Sequence, residues 1–357
     1  MDIQPLPLER KEVINAIQHR RPSRVPMMIH PWNVPEAFGD RAGEVRSLQA
    51  RYPCDAHVVS PRMPQYWDDP SQPGAIPGYS WMHTSPAPVP AAAVAHDATV
   101  AITDWTMLDD MLARWPDPGS PHLLSGLKED IAHNATGRYT IARWWYCFYE
   151  RLWSLRGMEN VLCDFYENPG PVHRLMDALC DFYCAVIGRC GRELGVDAVF
   201  TSDDIGMQTG PMFSPEIFRE FFLPRYRRLI DTAHSHNMHF WLHTCGNVLA
   251  FLEDFIDIGL DVIHPIQKYT MDEREVARRF GGRIAFWAGM DLQQILPRGS
   301  TEEVRREVRF LIDTFDRPDG GCIITAGNGI TADVPLENLE AFYDEVYSYG
   351  IAHRQRP

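Results

Sequence analysis

No apolar run in this 357-residue sequence approaches the roughly 18 residues of a membrane-spanning helix, so a spanning segment of that kind is not expected. The opening stretch, MDIQPLPLERKEVINAIQHRRP, mixes charges and lacks an apolar centre, so no secretory signal is read and a cytoplasmic setting is expected. Positive charge is in deficit: 34 Lys and Arg against 48 Asp and Glu leave a formal net charge of -14. Phosphates demand a basic face, and nucleic acid is therefore excluded as the partner class. None of the eight cysteines sits in a CxxC, and they are scattered through a chain large enough to fold without staples. Free thiols in a reducing compartment follow, rather than a disulfide framework. GxGxxG, a Walker loop and internal repeats are also missing.

What is present is alternation. From Arg24 onward short apolar runs take turns with long amphipathic stretches, the pattern of successive βα units. Strands are predicted at 24–29, 56–60, 139–145, 197–202, 238–244, 261–266, 283–289 and 321–327. That number suits an α/β fold of the (β/α)8 TIM-barrel type, one domain over 1–357. An N-terminal helix is placed within 1–23, and further helices at 214–236 and 300–318, each with a Ser or Thr start and early acids. Residues 61–121 break the rhythm with Pro, Gly and aromatics. Tyr66, Trp67, Tyr79 and Trp81 are too apolar for a solvated linker, so this segment is read as an irregular, lid-like insertion over one barrel mouth.

Barrel enzymes carry their chemistry at the carboxyl ends of the strands, and polar residues collect there. They are Asp203 and Asp204, His243 and Cys245, His264 and Gln267, Asp291, and Asn328 after the last strand, which Cys322 opens. His243 and Cys245 stand at i and i+2 and share one face of a strand. They could grip one metal ion, or be a core histidine and a buried thiol. A catalytic zinc needs a third protein ligand from elsewhere, for which Cys322 is attractive as a soft donor. Cys180 and Cys184, at i and i+4, are read as small buried side chains, and His234, His236 and His239 fall at the wrong end of the barrel.

These residues carry a resemblance. HTCGNV, DVIHPIQ, FWAGMDLQQILPRGSTEEVRREV and GGCIITAGNGITADVPLENLEAFYDEVYSYG resemble the C-terminal half of the uroporphyrinogen decarboxylase superfamily. Upstream, HRRPSRVPMMI, RGMENVLCDFYENP and SDDIGMQTGPMFSPEIFREFFLPRYRRLI are similar to the same superfamily. The resemblance implies a (β/α)8 barrel and one of two chemistries. Decarboxylase members hold porphyrin carboxylates with an arginine-rich stretch after the first strand; here it reads MIHPWNVPEAF, with His30 and Trp32 and no arginine. Their aspartate near the second strand is replaced by Ser60 and Arg62, with Asp55 upstream, and a late histidine by Asn328. Cobalamin-linked methyltransferase members carry zinc on H-x-C followed about eighty residues later by Cys. Cys322 follows Cys245 by 77 residues, so the resemblance implies zinc on His243, Cys245 and Cys322, with Gln267, an Asp or the substrate as fourth ligand.

That branch implies methyl transfer between a small-molecule donor or acceptor and a corrinoid (cobalamin) cofactor. No D-x-H-x-x-G loop is present, so the corrinoid is expected on a separate partner protein. Trp32, Trp67, Trp81, Trp144 and Trp145 near the mouth favour an aryl methyl ether and O-demethylation. The alternatives are methylcorrinoid-to-thiol transfer, a metal-free decarboxylase, and a binding paralogue with a vestigial zinc site. His30 and His264 are acid–base or phenol-binding candidates or structural groups; Asp203 and Asp204 orient His243 or cap helices. Gln208 binds substrate or ties its loop. A homodimer fits as readily as a monomer.

Overall fold

Most of the apolar runs do become strands. A computed structural model describes residues 5–71, 75–83 and 100–355. In chain order the strands are β1 (Ala56–Val59), β2 (Gln65–Trp67), β3 (Ser80–Met82), β4 (Tyr139–Arg143), β5 (Ala198–Ser202), β6 (His239–His243), β7 (Val262–His264), β8 (Ala285–Met290) and β9 (Cys322–Ala326). Seven form one all-parallel sheet in the order β1-β4-β5-β6-β7-β8-β9, so each strand pairs with the next one placed in the sheet. β2 and β3 make a separate parallel pair. β5, β8 and β9 are buried along their whole length, as strands covered on both faces must be.

The strand expected at 24–29 is reduced to a single bridge between Met27 and Ile324. The Ile324 N–H donates to the Pro26 carbonyl and the Met28 N–H to Ile324, while the Asp55 N–H donates to Met27 on the other side. This segment therefore stands between the two edge strands of the sheet. Pro26 brings no N–H to a ladder, and the chain turns at once into a short 3-10 helix, His30–Trp32. Prolines also limit the first helix, which covers Arg10–Ile17 rather than 1–23: Pro5 and Pro7 precede it, and residues 1–4 lie outside the described residues.

Thr301–Phe315 is a helix with a capping box between Ser300 and Glu303, as its sequence signals. The helix expected at 214–236 starts with the Ser214 cap but contains a π turn at Phe218–Phe222 before resuming at Leu223–Ser235. Inside the sheet Trp287 packs edge-on against Trp241 and Phe200, both at 5.2 Å between centroids. Each such burial contributes roughly 1.5–3 kcal/mol.

Of the 61–121 segment, residues 72–74 and 84–99 lie outside the described residues. In the rest, Trp81 is fully buried and packs on Phe182 of the outer helix Pro169–Arg189, 5.0 Å away, and on Trp115 at 4.8 Å. These rings anchor the segment to the outer helix. No described helix is long and apolar enough to cross a membrane.

Candidate metal centre

Ser202 pairs with His243, so β5 and β6 end side by side and release Asp204 and Cys245 at the same level. The two following loops are in backbone contact: Met207 and Asn247 form a bridge, with the Asn247 N–H donating to Met207 at 2.7 Å. A Cβ on Gly246 would lie 2.4 Å from the Gly206 carbonyl carbon, and Gly246 has φ +82°. The glycine after HTC is thus required twice, by a left-handed backbone and by the absence of space. It turns the chain so that Cys245 faces back to His243.

Asp204, His243 and Cys245 bring one ligand atom each to within 4.8 Å of one another. His243 Nε2 is 3.4 Å from Cys245 Sγ and 3.5 Å from Asp204 Oδ1. Two tetrahedral ligands of one zinc ion stand about 3.4–3.6 Å apart, given zinc bonds of ~2.0–2.3 Å. The donor set of carboxylate, imidazole and thiolate also fits zinc, and three protein ligands leave a position open. Asp204 is held in place because its Oδ1 accepts the Cys245 N–H at 2.8 Å. Burial, then Asp204, pushes the Cys245 thiol up to about 12, so a thiolate here calls for a cation.

The histidine is preset by a relay. His264 Nε2 lies 2.9 Å from the Ala326 carbonyl, which can only accept, so His264 carries its proton there. Its Nδ1 is then a bare acceptor for His243 Nδ1–H, 2.6 Å away. That assignment leaves His243 Nε2 bare and aimed at the group. Burial lowers the pKa of both rings, so both are neutral. Trp32 stacks on His264 at 4.7 Å with planes 10° apart, and lies 4.9 Å from His243. Trp145 adds an edge-on wall 6.3 Å from His243.

Cys322 is not brought to this group, which corrects the ligand set that the resemblance implies. It opens β9 opposite Phe286, and the charged neighbours of its buried thiol are Asp316 and Arg354. Four residues of strand, about 13 Å, separate it from the carboxyl end where Asp204, His243 and Cys245 sit. The residue of that segment that does arrive is Asn328, whose Nδ2 donates to Cys245 Sγ at 3.4 Å. Gln267 also borders the group, with Oε1 accepting the Gly246 N–H at 2.7 Å. Cys245, Gln267 and Asn328 line a cavity of about 140 Å³.

The remaining expectations divide. Asp203 does not orient His243: it is buried and caps the helix Tyr149–Arg156, accepting the N–H groups of Phe148, Tyr149 and Glu150 at 2.9–3.0 Å. His30 turns away to the Tyr52 carbonyl at 2.8 Å, and burial lowers its pKa to about 4. Gln208 ties its loop to the Tyr269 carbonyl at 3.2 Å. Asp291 caps the turn that follows β8, and Trp144 stacks on Tyr183.

Two residues escaped the sequence reading. Glu150 is buried, accepts Ser202 Oγ–H at 2.6 Å, and has its pKa raised to about 8 by burial and then by Asp204. Nothing in its local pattern marks it. Arg143 ends β4 with its side chain mostly buried, and burial lowers its pKa. The rule that polar residues at carboxyl strand ends face the mouth would have found it.

A family model described as uroporphyrinogen decarboxylase (URO-D) matches residues 152–349. The chain is 27% identical over 192 residues to a uroporphyrinogen decarboxylase of Actinobacillus succinogenes, covering 53% of this chain and 52% of that protein. It is 26% identical over 160 residues to a methylcobamide:CoM methyltransferase of Methanosarcina barkeri, covering 44% of each. The matches thus span about half the length of these curated relatives. A solved methyltransferase from Methanosarcina mazei shares the fold, with a TM-score of 0.62 and 16% identity over 95% of this chain and 98% of that one. The chain belongs to the uroporphyrinogen decarboxylase (URO-D) family.

Proposed function

We propose that this protein is a zinc-dependent methyltransferase that moves a methyl group between a small substrate and a corrinoid cofactor carried by a separate protein. The favoured substrate is an aryl methyl ether. The observation that carries the reading is the convergence of Asp204, His243 and Cys245 on one point at the carboxyl end of the sheet. The methylcobamide-linked relative supports the corrinoid part. We read the sheet with its Met27 bridge as a (β/α)8 barrel of one domain, with the described parts of the 61–121 segment bordering the mouth, in a cytoplasmic protein.

Asp204, His243 and Cys245 would hold the zinc, with Asn328 and Gln267 beside it. When bound, zinc supplies Lewis-acid stabilisation of negative charge on an ether oxygen or a thiol sulfur. The chain's own residues do the rest. The His264 relay keeps His243 Nε2 free of a proton. In the metal-free chain, burial and then Asp204 raise the Glu150 pKa to about 8, which favours its protonated form beside the group. Trp32, stacked on His264, and Trp145 exclude water from one side of the group.

The test is turnover of the zinc-loaded protein with reduced free cobalamin standing in for the partner. Consumption of methoxybenzene-type ethers with release of phenol is expected. Methylation of a thiol by methylcobalamin alone would reverse the favoured direction. Release of carbon dioxide from uroporphyrinogen, with no methyl transfer, would overturn the reading in favour of the decarboxylase relatives.

A further inference from the structure

Beside the metal group, between the carboxyl ends of β1 and β4, lies a cavity of about 650 Å³. That volume is in the usual range for a small-molecule site. Its lining includes three arginines, Arg62, Arg143 and Arg151, and no Asp or Glu, in a chain whose net charge is -14. Among the described residues none of the three forms an ion pair. Arg143 donates from Nη1 to the Pro31 carbonyl at 3.2 Å, and its guanidinium lies 5.1 Å from the centre of the Trp145 ring. Arg151 is buried against Tyr66 and Tyr146, at 4.8 and 5.3 Å, and hydrogen-bonds Tyr183, while its Nε has no partner. Burying a guanidinium without a counter-ion is costly, and a ligand carboxylate is the partner whose planar geometry matches it.

The rest of the lining is aromatic: Tyr66, Trp144, Trp145 and Tyr146. Trp145 connects this cavity to the metal group, since the same ring lies 6.3 Å from His243 and 5.4 Å from Trp32. We propose that the cavity is the carboxylate subsite for an aromatic acid, with Arg143 and Arg62 taking the carboxylate and the ring lying along Trp145 and Tyr66. The substrate class is then a methoxylated benzoate rather than a neutral aryl ether, its methoxy group directed toward Asp204, His243 and Cys245. The methoxy part rests on the methyl-transfer reading; the carboxylate part does not.

Binding tests this without turnover. The full chain, metal-free and zinc-loaded, is titrated with para-methoxybenzoate and with methoxybenzene, following calorimetry and tryptophan fluorescence. The benzoate is expected to bind at least about tenfold tighter than the neutral ether, the scale of one charge-assisted pair. Arg143→Gln should weaken the benzoate about 10- to 100-fold and leave methoxybenzene unchanged. If that variant loses its melting transition, Arg62→Gln, at an exposed position, takes the same measurement. Equal binding of the two probes, or an unchanged ratio in the folded arginine variants, overturns the assignment. Displacement of the benzoate by equimolar uroporphyrin also overturns it, in favour of a tetrapyrrole. Zinc bound without benzoate selectivity would sink this assignment alone; selectivity without any zinc binding would sink the methyl-transfer reading alone.

Discussion

Replacing His264 by Phe removes both ring nitrogens, Nε2 beside the Ala326 carbonyl and Nδ1 beside His243, while keeping most of the packing. A phenyl ring preserves the stack on Trp32, now 4.7 Å between centroids and 10° off parallel. It deletes Nδ1, the acceptor 2.6 Å from His243 Nδ1. In a fully buried position the orphaned Nδ1–H costs ~1–3 kcal/mol. His243 can avoid that cost by moving its proton to Nε2, beside Asp204 Oδ1 at 3.5 Å, but zinc must then displace it. That shift moves the loss to metal binding, and outer partners of ligating histidines are typically worth 10–100-fold in affinity, or about 1.4–2.8 kcal/mol. Zinc affinity by competition with a chromophoric chelator should therefore fall about 10–100-fold in H264F. In an H243A background the same substitution should have no further effect. Wild-type zinc affinity in H264F would refute the relay.

Other expectations follow from the same contacts. Gly246→Ala places a Cβ 2.4 Å from Gly206 at a φ of +82°; it should destabilise the fold by at least about 2 kcal/mol in denaturant melts and weaken zinc binding. The pH dependence of the metal-free protein should carry the signature of Glu150, whose folded pKa of about 8 is raised above the carboxyl range by burial and Asp204. The folded chain holds this proton where the unfolded chain has released it, so stability falls as pH rises from the ordinary glutamate range through about 8. Glu150→Gln should flatten that slope and melt a few degrees higher than wild type above it; an unchanged slope would show that Glu150 ionises freely.

How much of this was legible in the sequence depends on the direction in which each residue was read. Alternation placed β1 and β4 to β9 within a few residues, because buried parallel strands are continuous apolar runs between turn signals. The i, i+2 spacing brings His243 and Cys245 close because Cys245 follows the end of β6 by two residues and the Gly246 turn aims it back. The third ligand needed the orientation of another strand. GGCIITAGN offers a thiol at one end of β9 and an amide at the other, and only the second end reaches the mouth. The resemblance points to Cys322 through its distance from Cys245, whereas the strand-end rule selects Asn328. Asp204 and Asp203 are adjacent in sequence yet part completely, one to the metal group and one to a helix cap. That cap also draws Glu150 against Ser202, a proximity no local pattern encodes.

The most direct test is the metal content of purified protein after incubation with zinc, comparing wild type with Asp204→Ala, Cys245→Ser and Cys322→Ser. One zinc ion per chain in wild type and in C322S, lost in D204A and C245S, is the predicted result. A wild type that holds no zinc, or a site that survives D204A and fails in C322S, would contradict the assignment of Asp204, His243 and Cys245 as the metal centre.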